Sequence, residues 1–166
     1  MEETQSRFLK RTPEKIQGIS RPKAEPVKAN PAPNTGAGGS SVDNMVSACA
    51  SELMNARTSF HKLHLKIKGD GSYAAHTALN AFYDELPDQA DTLVEGYQGA
   101  AEKLLSYTET TPRILDTVSD AIAYLRDLSA IITKLQGMLP YSEIVNNLDL
   151  VKDSINSTKY KLLFLK

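Results

Sequence analysis

Residues 60–99, FHKLHLKIKGDGSYAAHTALNAFYDELPDQADTLVEGYQG, hold all three histidines of the chain and join two helical patterns through a glycine-containing turn. Working back from this stretch, Val42, Val46, Cys49, Leu53, Ala56, Phe60, Leu63 and Ile67 recur at steps of three and four. That spacing makes one continuous apolar stripe, the mark of a helix packed in a bundle. The first helix is therefore expected from about Val42 to Lys68, with Ser41 or Asp43 as its cap and Gly69 and Gly71 as its stop. Working forward, a second helix from near Ser72 carries Leu79, Phe82, Leu86, Ala90, Leu93 and Tyr97 on one face. A second face reads His76, Asn80, Asp84, Pro87, Asp91 and Glu95, a polar stripe with an expected kink at Pro87. Imidazole and carboxylate are the donors a hard, redox-active metal needs. His64, His76, Asp91 and Glu95 are thus the candidate metal ligands, with Asn80 and Asp84 as further candidates.

Two more helices follow. The run SYTETTP, residues 106–112, breaks the pattern, and Pro112 suits the first turn of a third helix carrying Ile114, Val118, Ala121, Ile122, Leu125, Leu128, Ile132 and Leu135. Gly137 and Pro140 end it. A fourth helix carries Ile144, Leu148, Val151 and Ile155 and closes on Leu162, Leu163, Phe164 and Leu165, a group expected to be buried in the core or against another subunit. Four amphipathic helices without a strand signal give an all-α fold, a four-helix bundle. Its topology turns on the link between the second and third helices. An eight-to-ten-residue link reaches only about 30 Å, whereas a 25-residue helix is about 38 Å long. A crossover that leaves those two helices parallel then requires the second helix to end early, near Gly99, or the third to start low, and an up-down-up-down bundle is the alternative.

The run HLKIKG, a second histidine twelve positions after the first, and D-x-x-x-E from the fifteenth position beyond it resemble the iron site of the DNA-protecting mini-ferritins (Dps), members of the ferritin-like four-helix bundles. The resemblance implies that His64 stands for the first-helix histidine, His76 for the histidine opening the second helix, and Asp91 and Glu95 for the carboxylate pair. It further implies that the histidines come from one subunit and the carboxylates from its two-fold mate. The chain departs from the pattern at Asn80, where the family has a carboxylate, at Leu65 where it usually has Trp, and at Gly96 where it usually has Arg. Asn80 offers a neutral oxygen that cannot neutralise a cation, so one metal is expected more readily than a dinuclear centre. The same stretch, with Pro87, DTLVEGYQG and the ending INSTKYKLLFL, also resembles phage-encoded ferritin-like proteins of undefined role.

Residues 1–41 contain five of the eight prolines and end in NPAPNTGAGGSS, a composition too poor in large apolar side chains to offset the entropy of ordering it alone. This segment is expected to be an extended arm, with residues 42–166 forming the bundle. Within it Arg7, Lys10, Arg11 and Lys15 stand beside Phe8, Leu9 and Ile16, a mixture able to dock on an acidic or partly apolar protein surface. Residues 1–42 hold seven Lys/Arg against four Asp/Glu, giving +3, and residues 43–166 hold twelve against sixteen, giving −4. The single cysteine, Cys49, excludes an internal disulfide and sits where a small core residue belongs. No apolar run approaches the ~18–20 residues that cross a bilayer, and MEETQSRFLKR lacks a signal-peptide core. No P-loop, Rossmann glycine pattern, Cys-x-x-Cys or nucleophile elbow is present.

The resulting expectation is an oligomeric ferritin-like structural or interaction module without a cofactor, a phage virion or assembly component docked through its arm to a capsid or other virion protein. It would lie in the host cytoplasm or the virion. The alternative is a Dps-type enzyme that binds and oxidises iron and protects DNA. If the site is instead only structural, His64 and His76 are half-buried interface residues paired with Asp91 or Glu95, and His61 lies on the surface.

Overall fold

A computed structural model describes residues 40–165, and these form four α-helices: α1 (Ser41–Lys66), α2 (Ser72–Ala101), α3 (Val118–Gln136) and α4 (Ser142–Phe164). No strand occurs among the described residues. The arm residues Arg7, Phe8, Leu9, Lys10, Arg11, Lys15 and Ile16 lie outside the described residues.

Helices α1 and α3 start where their sequence offers side-chain partners for the orphan N–H groups of the first turn, whereas α2 and α4 start without a side-chain cap. At α1 the cap is Ser40 rather than Ser41, and Asp43 completes a reciprocal capping box with it. Thr117 and Asp120 make the same box at α3. That box moves the third helix four residues past the expected Ile114, because a side-chain oxygen at Thr117 satisfies the first turn and Pro112 offers none. Ile114 is left in the connection, 86% exposed, while Leu115 is buried. Helix α2 runs through Pro87 as one element.

The apolar stripes meet as expected. Val46, Leu53, Phe60 and Leu63 of α1, Leu79, Phe82, Leu86 and Leu93 of α2, Leu125, Leu128 and Ile132 of α3, and Ile144, Leu148 and Ile155 of α4 form one buried cluster. Phe60 sits at its centre, edge-on to Phe82 at 4.9 Å and stacked on Tyr124 at 5.4 Å, so one ring joins three helices. Helix α1 packs on α2 and α3, and α4 packs on the same two, which makes a square with α1 and α4 at opposite corners.

The link from α2 to α3 sets the topology. Sixteen residues, 102–117, separate the two helices. Extended chain of that length reaches about 53 Å, more than the ~39 Å length of a 26-residue helix such as α1. Its contacts climb α1 from end to end. Lys103 pairs with Asp43 at 2.7 Å, Thr110 bonds Asn55 at 2.7 Å, and Asp116 pairs with Lys66 at 2.6 Å. Helices α2 and α3 therefore run parallel, and all four neighbouring pairs are antiparallel. This is the crossover arrangement, not the up-down-up-down one. The eight-to-ten-residue link read from the sequence is too short, because α2 ends at Ala101, near the required Gly99, and α3 starts late, at Val118.

Arg113 pins the middle of the crossover. Its guanidinium bonds Glu52 of α1 at 2.9 Å and Asp127 of α3 at 2.6 Å, and lies 4.0 Å from the ring centre of Tyr124. Asp43 pins its start, through a 2.6 Å bond from the Tyr97 hydroxyl as well as the Lys103 pair.

Candidate functional site

The turn between α1 and α2 builds a histidine pair. Helix α1 ends at Lys66, and Gly69 (φ +94°) and Gly71 (φ +73°) take the left-handed backbone that turns the chain back within five residues. His64, in the last turn of α1, thereby faces His76, in the second turn of α2. Their rings stack with centroids 3.6 Å apart. The Nδ1 of His64 lies 3.0 Å from the carbonyl oxygen of His76, and the Nδ1 of His76 lies 3.2 Å from the carbonyl oxygen of His64. A carbonyl only accepts, so each Nδ1 carries the proton and donates it. In the neutral rings both Nε2 atoms are left with a free lone pair, the tautomer that a metal-ligating histidine adopts when its other nitrogen is tied to the backbone.

A polar chain continues from the pair along α2. His61 is half-buried and stacks on Tyr83 at 4.4 Å, which corrects the expectation of a surface residue. The ring of Tyr83 also meets His64 edge-on at 5.3 Å. Its hydroxyl donates to Asn80 Oδ1 at 2.7 Å, and Asn80 Nδ2 donates to Asp84 at 2.9 Å. Burial, reinforced by the Asp84 carboxylate and opposed by Arg57, raises the Tyr83 phenol above its usual range. Asn80 and Asp84 are thus committed to each other and to Tyr83.

The carboxylate pair lies elsewhere in the chain. Asp91 and Glu95 are exposed on α2, fifteen and nineteen residues past His76, or about 22 and 28 Å along the axis at 1.5 Å per residue. Tyr107 of the crossover sits near Asp91, and its phenol is raised by burial and by that carboxylate. Within one chain His64 and His76 do not pair with Asp91 or Glu95 and instead exchange reciprocal bonds with backbone. Among the described residues no three His, Cys, Asp or Glu side chains converge as a metal site.

Two other features bear on chemistry. Cys49 is buried, and burial together with Glu52 pushes its thiol up to about 12, which suits a packed residue and not a nucleophile. The Asp43–Tyr97–Lys103 cluster and the Arg113 clamp went unread in the sequence. Only Asp43 carried a signal, as a capping residue.

No helix of the described residues is long and apolar enough to cross a membrane. No curated protein and no solved structure matches the chain. A family model does, over residues 64–162, from the first histidine of the pair to the last buried residue of α4. The match spans more than half of the chain, which therefore belongs to the family described as Family of unknown function (DUF5856).

Proposed function

We propose that the chain is a self-associating, ferritin-like helical bundle serving as a structural or interaction module, a component of a virion or of its assembly, with residues 1–41 as the docking segment. The crossover of residues 102–117 along the whole of α1 carries this reading, because parallel second and third helices are what a ferritin-like bundle needs and an up-down bundle lacks. Leu163, Phe164 and Leu165 support the self-associating part. All three remain exposed at the end of α4, where the sequence expects burial in the core or against another subunit.

The docking part is tested by deleting residues 1–41. Thermal stability of the bundle should be unchanged while co-assembly with the parent particle or complex is lost. Undiminished co-assembly after the deletion overturns it.

One observation favours a second reading, a mini-ferritin that binds and oxidises iron. The two Nδ1–H groups tied to backbone carbonyls leave both Nε2 lone pairs of His64 and His76 unused, and Asp91 and Glu95 are exposed on α2, where the reading has a second copy supply them. Titration with iron(II) and zinc(II) separates the readings. The mini-ferritin reading expects His64→Ala to abolish binding and Asn80→Asp to strengthen it by adding an anionic ligand. Absence of binding in the parent and in Asn80→Asp leaves the structural module alone.

A further inference from the structure

The outer groove between α2 and α4 has the shape and charge of a receptor for a basic peptide with bulky apolar side chains. Two hollows lie along it. One, of about 160 Å³, is floored by Leu93, Leu148 and Val151 and flanked by Gln89. The other, of about 310 Å³, is lined by Phe82 and by Ala81, Ser154 and Ser157, whose small side chains leave the space open. Leu150, 63% exposed, forms the ridge between them and borders both. The rim carries Asp88, Glu85 and Asp153 against the single cation Lys161. Beside the first hollow, the side-chain oxygen of Gln89 is buried with no hydrogen-bond partner among the described residues. A buried acceptor left unpaired is destabilising, and an N–H donor entering the groove would relieve it.

We infer that this groove receives residues 7–16, RFLKRTPEKI, of a second copy of the chain. The inference rests on the self-association proposed above and names the contact that produces it. The complementarity is specific. Arg7, Lys10, Arg11 and Lys15 oppose the acidic rim, with Glu14 as the one acid of the segment, and Phe8 and Leu9 supply one apolar side chain for each hollow. Arginine and lysine also bring the N–H donors that Gln89 lacks. Reach is sufficient: the twenty-three residues between Ile16 and Ser40 span up to about 76 Å when extended, farther than the length of any helix in the bundle.

Two full-length variants test this. Leu150→Lys spoils the groove at an exposed position, removing the apolar ridge and setting a cation against the basic segment, and a second chain carrying Arg7→Glu, Lys10→Glu and Arg11→Glu spoils the segment. Circular dichroism confirms that both stay folded. Sedimentation velocity should show each variant alone losing self-association at least tenfold. Mixing the two should restore a heterodimer, since the mixture keeps one intact groove and one intact segment. Self-association of both variants at the parent's strength overturns the inference and leaves the proposed module standing. Loss without restoration on mixing also overturns it. A parent chain that sediments as a monomer instead removes the self-association on which it rests.

Discussion

Asp43 is the residue whose loss should be felt farthest from its own helix. Its carboxylate accepts from the Ser40 amide at 2.9 Å, from the Tyr97 hydroxyl at 2.6 Å and from Lys103 at 2.7 Å, and so ties the start of α1 to the end of α2 and the start of the crossover. Burial alone would raise its pKa, but the hydrogen bonds from Lys103, Tyr97 and Ser40 outweigh that and hold it at about 2, against an ordinary 3.8. The same bond and burial push the Tyr97 phenol up to about 12. The Asp43 shift corresponds to about 2.4 kcal/mol, which solvent screening around the half-exposed Lys103 reduces to about 1–2 kcal/mol. Because the folded pKa lies below the unfolded one, this stability is fully present above about pH 4 and is lost as the pH falls through 3.8 toward 2.

Asp43→Asn keeps a capping oxygen and loses the charge, so it should cost about 1–2 kcal/mol at pH 7. Asp43→Ala also removes the carboxylate half of the capping box and strands the buried Tyr97 hydroxyl, for a total of about 2–4 kcal/mol. Urea unfolding followed by circular dichroism measures both. The parent's advantage over Asp43→Asn should shrink to about a third between pH 6 and pH 2.5. An advantage that stays constant over that range, or an Asp43→Ala cost below about 0.5 kcal/mol, would refute the reasoning.

Arg113→Ala should cost about 1–2 kcal/mol by releasing two partly exposed ion pairs and the Tyr124 contact. Arg113→Lys should recover little of this in the same unfolding assay, because an ammonium cannot bridge Glu52 and Asp127 while lying flat on a ring. Phe60→Ala, at the meeting point of α1, α2 and α3, should cost about 3–5 kcal/mol by calorimetry. Cys49 should resist alkylation at pH 8 in the native protein and react readily in 8 M urea; fast native labelling would mean that α1 is not packed as described.

The fold was legible wherever an apolar stripe repeats at helical spacing. Val46 to Leu63, Leu79 to Tyr97 and Ile144 to Ile155 read correctly because burying one face is a property each helix carries in its own sequence. The start of α3 was not legible on that basis. Ile114 continues the stripe of Val118 and Ala121 in register, yet the helix begins where Thr117 and Asp120 can cap each other, and a cap outweighs one apolar position. Together with the end of α2 at Ala101, that later start lengthens the link to sixteen residues, enough to cross the bundle. At the candidate site, the stop at Gly69 and Gly71 fixed which turn of α1 faces which turn of α2, so the meeting of His64 and His76 followed from spacing. Their stacking and exchange of Nδ1–H bonds did not, because backbone carbonyls leave no trace in sequence. The contacts of Arg113 with Glu52 and Asp127 join segments 61 and 14 residues apart, a pairing that only the crossover path creates.

Sedimentation velocity of the full-length chain at micromolar concentration tests the proposed module most directly. The account predicts a dimer or a larger closed assembly, with a mass at least twice the 18.2 kDa of one chain. A single species at 18.2 kDa that persists as the concentration rises would contradict it.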